Sequence, residues 1–260
     1  MILFHVWVSS TPPLLSFSFD LTYTDICAWQ NKLACHGHIY LGEHQGWYAV
    51  SDEAFYPESQ ICATKQQSGS SSETVYTSIE TGQRVEWTTE TNYKFRLSAF
   101  QQPLLDWLEN NREVIQPSNM YDHVLAEVRS GLQDLSISRL RSRLSWGIPV
   151  PGDPQHTMYV WMDALVNYMT ALGYPDMQPG WPADVHIVGK DIVRFHAIYW
   201  PAFLMAAGLP LPRTIVAHSH WTVNKAKMSK SKGNAINPFQ ALHTYGVDTM
   251  RYYLKIGRAH

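Results

Sequence analysis

The segment AKMSKSKGN (226–234) is rich in groups that bind phosphate. Four lysines fall within residues 225–232, serines separate them, and Gly233 closes the segment. Lysine ammonium groups and serine hydroxyls suit phosphate oxygens, and a glycine lets the backbone turn sharply or approach a ligand. The pattern therefore predicts a loop that stabilises the charge developing on a leaving pyrophosphate. A solvated surface loop and a basic segment that binds nucleic acid are the alternatives.

A second group of residues suits an apolar ligand that contains sulfur. His196 and Trp200 are four residues apart and Trp161 and Tyr168 are seven apart, so each pair can lie on one face of a helix. Three aromatic rings and an imidazole could enclose a thioether. Each sulfur–aromatic contact adds about 0.3–1.5 kcal/mol, and an apolar wall excludes more polar molecules. Taken singly, each of these residues is more often ordinary helix core.

Two smaller features concern charge and metal binding. Asp191 follows Gly189 at the end of the apolar run DVHIVGKD, where a carboxylate can bind a ribose hydroxyl or a ligand ammonium, or cap the next helix. A cluster of possible zinc ligands has a spacing that matches no usual pattern, so we predict no metal site there. Its members are Cys35, His36, His38 and His44.

The elements that would position these residues change along the chain. Residues 1–35 show no clear periodicity. Residues 37–80 alternate short aromatic-rich runs with glycine and serine, which is typical of a small antiparallel sheet. Residues 92–146 repeat apolar side chains at helical spacing and predict two amphipathic helices.

Capping residues predict where the second of these helices begins and ends. A different pattern follows this helix. Ser118 or Asn119 would cap its start and Gly131 would end it. From residue 147 onward a strand, a helix, a strand and a loop succeed one another, as in an open α/β sheet. Ligands of such sheets bind at the carboxyl ends of the strands, where Gly189 and the lysine segment would both lie.

Composition restricts the class of protein. The 260 residues include 22 acidic and 20 basic side chains, so a broad basic surface for nucleic acid is not required. A hydrophobic content of 45% indicates a folded globule. Three cysteines form no disulfide framework and favour a reducing compartment. The sequence contains no apolar run of about 18 residues, so no membrane-spanning helix is predicted. The first 20 residues are apolar but lack the basic residues of a signal or transit peptide.

Several of these stretches together resemble one family. The string KMSKS (227–231) resembles the signature loop of class I aminoacyl-tRNA synthetases. VGKDIVRFHAIYWPAFLMAAGLPLP (188–212) and MYVWMDALVNYM (158–169) resemble the methionyl-tRNA synthetase family, and the likeness extends over roughly residues 36–255. The resemblance implies that methionine reacts with ATP to give methionyl-adenylate and that the methionyl group passes to tRNA-Met. It also implies Mg²⁺ together with ATP as substrate.

The resemblance assigns roles to individual residues. It implies that Lys227 and Lys230 are catalytic, and that Arg139, in DLSISR, reaches the active site or the tRNA end unless it forms a surface salt bridge. The implied ATP-binding residues are Gly189, Asp191, Lys227, Ser229 and Lys230, and the implied methionine-binding residues are Trp161, Tyr168, His196 and Trp200.

The resemblance also bears on zinc and on the cell compartment. Ala49 and Asp52 stand where zinc-binding members of the family have a C-x-x-C pair, so no structural zinc is expected. This metal-free pattern resembles the mitochondrial branch and some bacterial branches. We therefore predict the mitochondrial matrix, with the cytoplasm as the alternative, and no membrane partner; the pattern does not indicate an oligomeric state.

The predicted fold is α/β, an incomplete Rossmann-like nucleotide-binding domain with an inserted connective α+β region. The predicted segments are an unmatched lead-in (1–35), the insertion (36–146), the C-terminal half of the catalytic domain (147–256) and an unmatched tail (257–260). The His-x-Gly-His motif of the class is not found in its usual place, so we expect a partial chain that is inactive alone. The alternatives are a non-catalytic RNA-binding fragment, a sister class I synthetase for another apolar amino acid, and an unfolded fragment.

Overall fold

The computed structural model describes residues 19–50, 54–56, 58–68, 71–79, 82–176, 180–219, 222–223, 226–228 and 233–256. The chain divides into two compact units, Met1–Ala217 and His218–His260. Among the described residues, no helix has both the length and the apolar character needed to cross a bilayer.

Helices and strands alternate along most of the described chain. The helices are α1 (Phe19–Cys35), α2 (Gln101–Asn110), α3 (Ser118–Arg129), α4 (Val160–Thr170), α5 (Trp200–Ala207), α6 (Pro238–Tyr245) and α7 (Val247–Ile256). The strands are β1 (Ile39–Ala49), β2 (Ala54–Tyr56), β3 (Ile61–Ser68), β4 (Ser71–Ser78), β5 (Glu86–Phe95), β6 (Ile115–Gln116), β7 (Leu135–Ser136), β8 (Ser138–Leu140), β9 (Pro149–Val150), β10 (Asp153–Met158), β11 (His186–Gly189), β12 (Ile215–His218), β13 (Thr222–Val223) and β14 (Ala226–Lys227).

The antiparallel sheet predicted for the aromatic-rich segment is confirmed. Strand β1 pairs antiparallel with β2 and with β5, and β3 pairs antiparallel with β4. Trp47 lies directly opposite Trp87 in the register, and their ring centroids are 5.5 Å apart. Aromatic pairs across strands stabilise a sheet beyond their buried area, so these side chains help to hold the long β1–β5 ribbon together.

The two amphipathic helices α2 and α3 are also confirmed. The buried faces follow helical spacing: Leu104 and Leu108 lie in α2, and Val124 and Val128 lie in α3. The predicted cap is wrong. Pro117 occupies the N-cap of α3 without a side-chain hydrogen bond, because the helix already begins at Ser118.

The small sheet beside the candidate site has the order β11–β12–β6, and β12 pairs in parallel with β6. Ile215 in β12 is fully buried. Strand β6 belongs to the segment that the sequence assigned to the insertion, so this segment contributes a strand to the sheet. The division at residues 36–146 and 147–256 stays a prediction.

The helical segment after β11 is less regular than the sequence predicted. It begins with a 3-10 turn at Lys190–Ile192, continues through a π-helical turn at Phe195–Tyr199, and ends as α5. Asp191 does not cap it, because Gly189 is the N-cap residue and Asp191 already lies inside the first turn. Pro201 lacks the N–H that would bond to the carbonyl four residues earlier, and the wider π turn comes directly before it.

Helix α1 was not predicted, because residues 1–35 show no clear periodicity. Trp29 and Leu33 lie four residues apart in α1, and both are fully buried. The ring of Trp29 stacks on Trp200 with 5.7 Å between centroids and contacts Tyr174 edge-on at 5.6 Å. Helix α1 therefore belongs to the core that surrounds the candidate site.

The second unit contains a short hairpin and two helices. Strands β13 and β14 pair antiparallel, with Thr222 opposite Lys227. Helix α6 begins at Pro238, and the side chain of Asn237 accepts hydrogen bonds from the backbone N–H groups of Phe239 (2.9 Å) and Gln240 (3.3 Å). This arrangement satisfies N–H groups that the first turn of a helix leaves unpaired.

Candidate active site

Helix α4 supplies one wall of the candidate site. Its buried residues include Leu165 and Tyr168, whereas Trp161, in the first turn, is half-buried. Trp161 and Tyr168 lie two turns apart along the helix, as their spacing predicted. Burial of the apolar face fixes the helix, and both rings project from it toward the helical segment that follows β11.

A hydrogen bond joins the two predicted walls. The phenol oxygen of Tyr168 lies 2.9 Å from Nε2 of His196, and Nδ1 of His196 lies 2.9 Å from the carbonyl oxygen of Ile192. Because a carbonyl oxygen only accepts, Nδ1 of a neutral His196 carries the hydrogen, and Nε2 accepts from the Tyr168 hydroxyl. Both nitrogens of His196 are therefore engaged within the protein.

Burial keeps this pair uncharged. His196 exposes no surface, and loss of hydration lowers the pKa of its imidazole to about 4 although the hydrogen bond to Ile192 opposes the shift. Burial also raises the pKa of the Tyr168 phenol above its usual range. At neutral pH the pair is a neutral imidazole and a neutral phenol, which suits an uncharged ligand group.

Trp161 contacts the other wall through a residue that the sequence did not single out. Its ring stacks on Phe195 with 3.7 Å between centroids and 14° between planes, and it meets His196 edge-on at 6.4 Å. Phe195 belongs to the π-helical turn, a feature often found at functional sites. In the sequence, the one indication that Phe195 belongs to the site was its position next to His196.

Trp200 forms the back of the ring cluster. It is fully buried between Trp29 at 5.7 Å and Trp181 at 5.8 Å, and its ring centroid lies 6.2 Å from that of Tyr168. The structure thus brings together the four predicted methionine-binding residues. Trp29 and Trp181 were missed because they come from segments that showed no helical or strand pattern.

Two predicted ATP-binding residues lie at the carboxyl end of β11. Gly189 is the last residue of the strand, and Asp191 is exposed in the 3-10 turn that follows. The next residue, Ile192, provides the carbonyl that holds His196. One helical turn therefore connects the predicted nucleotide-binding residues with the ring cluster.

The lysine segment is described only in part. The backbone of Lys227 lies in β14, while Ser229 and Lys230 lie outside the described residues. Gly233 has a φ of +65°, a conformation that side chains with a Cβ atom adopt at a cost. The catalytic and phosphate-binding roles of these residues stay predictions.

Arg139 does not lie at the surface, so the alternative of a surface salt bridge is wrong. Its side chain is buried, and Nη1 donates to the hydroxyl of Ser136 and to the carbonyl of Ser138, both at 2.9 Å. The guanidinium lies over the ring of Tyr159, 5.0 Å from its centroid. Burial lowers the pKa of Arg139 from its ordinary value.

That the protein lacks a structural zinc stays a prediction. Within the described ranges, no group of three His, Cys, Asp or Glu side chains is arranged to hold a metal ion. Nδ1 of His36 lies 3.2 Å from the carbonyl oxygen of Ala206. Ala49 is fully buried at the end of β1, and Asp52 lies outside the described residues.

A separate cleft of about 500 Å³ lies between α2 and α3. Its lining contains none of the predicted site residues and consists of Glu109, Arg112, Tyr121, Asp122, Leu125 and Arg129. Arg129 and Glu109 form an exposed ion pair there at 2.8 Å. Such exposed pairs contribute little to the free energy of folding.

Residues 26–260 match the family described as "tRNA synthetases class I (M)", and the chain belongs to this family. It is 55% identical over 234 residues to "Probable methionine--tRNA ligase, mitochondrial" of Schizosaccharomyces pombe, covering 85% of this chain and 42% of that protein. It is 51% identical over 224 residues to "Methionine--tRNA ligase, mitochondrial" of Homo sapiens, covering 85% and 37%. The chain thus spans about two fifths of the length of these curated relatives.

A solved structure has the same fold. Methionyl-tRNA synthetase of Mycobacterium tuberculosis, bound by methionyl-adenylate, superposes with a TM-score of 0.79 at 43% identity, covering 90% of this chain and 45% of that chain. The α/β fold class and the resemblance drawn from the sequence are therefore confirmed. A relative at 50% identity, "Methionine--tRNA ligase" of Rickettsia bellii, is bacterial, so the relatives alone do not assign a compartment.

Proposed function

We propose that this chain provides the methionine-binding wall and the phosphate-binding segment of a methionine–tRNA ligase. The observation that carries the proposal is the hydrogen bond between Tyr168 and His196, which joins the walls contributed by α4 and by the π-helical turn. The methionyl-adenylate bound by the Mycobacterium tuberculosis relative supports the same ligand for this chain.

The ring cluster suits the methionine side chain. A thioether is apolar and accepts hydrogen bonds only weakly, so it binds favourably among aromatic rings. A neutral His196 whose nitrogens are both engaged offers no strong partner to a polar side chain. Because His196 and Trp200 expose no surface, methionine reaches them only when neighbouring rings such as Trp161 shift.

The first reaction joins methionine to the nucleotide. A carboxylate oxygen of methionine attacks the α-phosphorus of ATP, and the bond from that phosphorus to the bridging oxygen of pyrophosphate breaks. Asp191 and Gly189 hold the ribose, while Lys227, Ser229 and Lys230 stabilise the negative charge that develops on the departing pyrophosphate. Mg²⁺ enters with ATP as part of this substrate.

The second reaction transfers the methionyl group to the terminal ribose of tRNA-Met. A ribose hydroxyl attacks the acyl carbon and AMP departs. The mitochondrial relatives support the mitochondrial matrix as the location, and the residue types at Ala49 and Asp52 support a protein without structural zinc.

Methionine-dependent exchange of pyrophosphate into ATP tests this proposal, measured in a full-length relative into which residues 26–256 of this chain are grafted. Replacing Lys230 with Gln removes a donor to developing charge, and we expect the activation rate constant to fall about 10²–10³-fold while methionine affinity changes little. Exchange stimulated by leucine, isoleucine or valine in place of methionine would instead identify a sister synthetase. A tRNA-binding defect with normal activation would contradict the role of Lys230.

A further inference from the structure

A second buried histidine lies behind the ring cluster. His186 is the first residue of β11, and its backbone N–H donates to the carbonyl of Thr214 at 2.8 Å. In β11 the buried residues alternate, so His186 and Val188 point to the same face of the sheet. The side chain of His186 is therefore fixed at its base by the sheet and directed into the core.

The ring of His186 contacts both members of the Tyr168–His196 pair. Its centroid lies 4.5 Å from that of Tyr168, with 54° between the planes, and 6.0 Å from that of His196. Trp181 packs against it from another direction at 6.2 Å. The contact with Tyr168 is the shorter of the two contacts with the pair, so His186 restricts the phenol ring more directly than the imidazole.

Among the residues that the structure describes, none is a hydrogen-bond partner of the buried Nε2 atom of His186. Burial, with a smaller contribution from His196, lowers the pKa of this imidazole to about 3, so the ring is uncharged at neutral pH. A buried nitrogen without a partner costs free energy. The His186 ring therefore acts on its neighbours through its shape and its packing contacts rather than through a hydrogen bond of Nε2.

We propose that His186 is a positioning residue for amino-acid selection, which holds the Tyr168 ring so that its hydroxyl stays on Nε2 of His196. This inference rests on the proposed function, because it concerns the selectivity of the same site. With Tyr168 held, His196 has no nitrogen left for a ligand, and the wall favours a thioether. Without His186 the phenol ring gains freedom, and the wall loses part of its preference for methionine.

Binding selectivity is the first test, measured by calorimetric titration of the 260-residue chain with methionine and with leucine. His186→Ala should reduce the preference for methionine over leucine about tenfold, within the range for one packing group in a pocket. His186→Phe retains a ring and should restore most of the preference. His186→Gln retains hydrogen-bonding groups without a ring and should not; the opposite ranking of these two variants overturns the proposal.

Two controls separate positioning from general damage. His156 is a buried histidine in β10 whose nitrogens lie 2.7 Å from Asp153 and 3.0 Å from the carbonyl of Thr91. Its ring packs on Tyr93, so His156→Ala removes the same atoms from a different ring contact. We expect it to leave the preference unchanged. In a Tyr168→Phe background, His186→Ala should have less effect than in the wild type, because the two residues act through one contact. Additive effects overturn the proposal.

A measurement without ligand keeps the inference testable if the chain binds no amino acid. Long-range ¹H–¹⁵N spectra report whether Nε2 of His196 accepts a hydrogen bond. We expect the Nε2 signal in His186→Ala to move toward that of an imidazole nitrogen without a bond, and in His186→Phe to remain. An unmoved signal in His186→Ala overturns the inference. A wild-type chain that binds no methionine counts against the proposed function instead, so the two failures are distinguishable.

Discussion

The ring cluster and the lysine segment belong to two units whose described residues differ in packing. The rings lie in Met1–Ala217, where Trp29, Trp200 and Leu165 are completely buried. In His218–His260, Ala241 is the one buried side chain among those described, and Phe239 is 80% exposed. The described part of the first unit is densely packed, whereas the described part of the second contains a short hairpin and a capped helix with mostly exposed side chains.

This difference suits the chemistry that we propose for the two regions. Discrimination between apolar amino acids depends on shape, and shape is maintained only where rings cannot move freely. Stabilising phosphate charge depends on ammonium groups that reach the ligand on long side chains, which requires less packing. Substitutions in the two regions should therefore have effects of different size.

The largest effect is expected for Trp200→Ala. Removing a completely buried indole that contacts Trp29, Trp181 and Tyr168 should lower the free energy of unfolding by about 3–5 kcal/mol. Tyr252→Ala, at a side chain that is 67% exposed in α7, should change it by about 0.5 kcal/mol or less. Urea denaturation measures both. Equal losses would contradict the contrast between the regions.

Acid should destabilise the packed region before its carboxylates titrate. Below pH 6.5 the unfolded chain binds protons at His186 and His196, whereas the folded chain resists protonation until about pH 3 and pH 4. Lowering the pH therefore favours unfolding, by up to about 1.4 kcal/mol per pH unit for each histidine. Unfolding free energies measured from pH 7 to 5 should fall by about 4 kcal/mol, and His186→Phe should halve the slope. A flat profile would be inconsistent with two buried neutral imidazoles.

A smaller loss is expected for Tyr168→Phe. The substitution removes the hydroxyl that bonds to His196 and leaves the buried Nε2 atom without this donor. Such a group costs about 1–3 kcal/mol, which thermal or urea unfolding detects. Tyr252→Phe removes an exposed hydroxyl and is the matched control, with no change expected. No loss in Tyr168→Phe would refute the hydrogen bond as a stabilising contact.

The smallest effect is expected in the second unit, for Asn237→Ala. Loss of the cap on α6 should cost about 1 kcal/mol and should be confined to that helix. Asn237→Asp retains an acceptor and should be nearly neutral. Hydrogen exchange of the Phe239 and Gln240 amides measures the local effect directly. Slower exchange in Asn237→Ala would contradict capping.

Much of the fold was predictable because its signals are local. Helices α2 and α3 repeat apolar residues at helical spacing, and the β1–β5 ribbon alternates aromatic residues with polar ones. Helix α1 has no such signal, since Trp29 and Leu33 become core only against α4 and α5. The π-helical turn could not be predicted either, because Pro201 indicated a bend but not the π-helical hydrogen bonds of the residues before it.

The sequence identified residues of the candidate site but not the contacts between them. Spacing paired Trp161 with Tyr168 and His196 with Trp200, and the resemblance put both pairs in one site. The hydrogen bond between Tyr168 and His196 joins positions 28 residues apart on different elements, so spacing within a helix carries no information about it. Phe195 and His186 were missed for the same reason, because their roles arise from tertiary packing.

We propose that methionine binds against the rings of α4 and of the π-helical turn. The most direct test uses methionine labelled with ¹³C at its S-methyl group and records nuclear Overhauser effects from that methyl to the protein. We expect effects to ring protons of Trp161, Tyr168 and His196, which weaken in competition with unlabelled methionine but not with lysine. Binding with effects confined to other residues would contradict it.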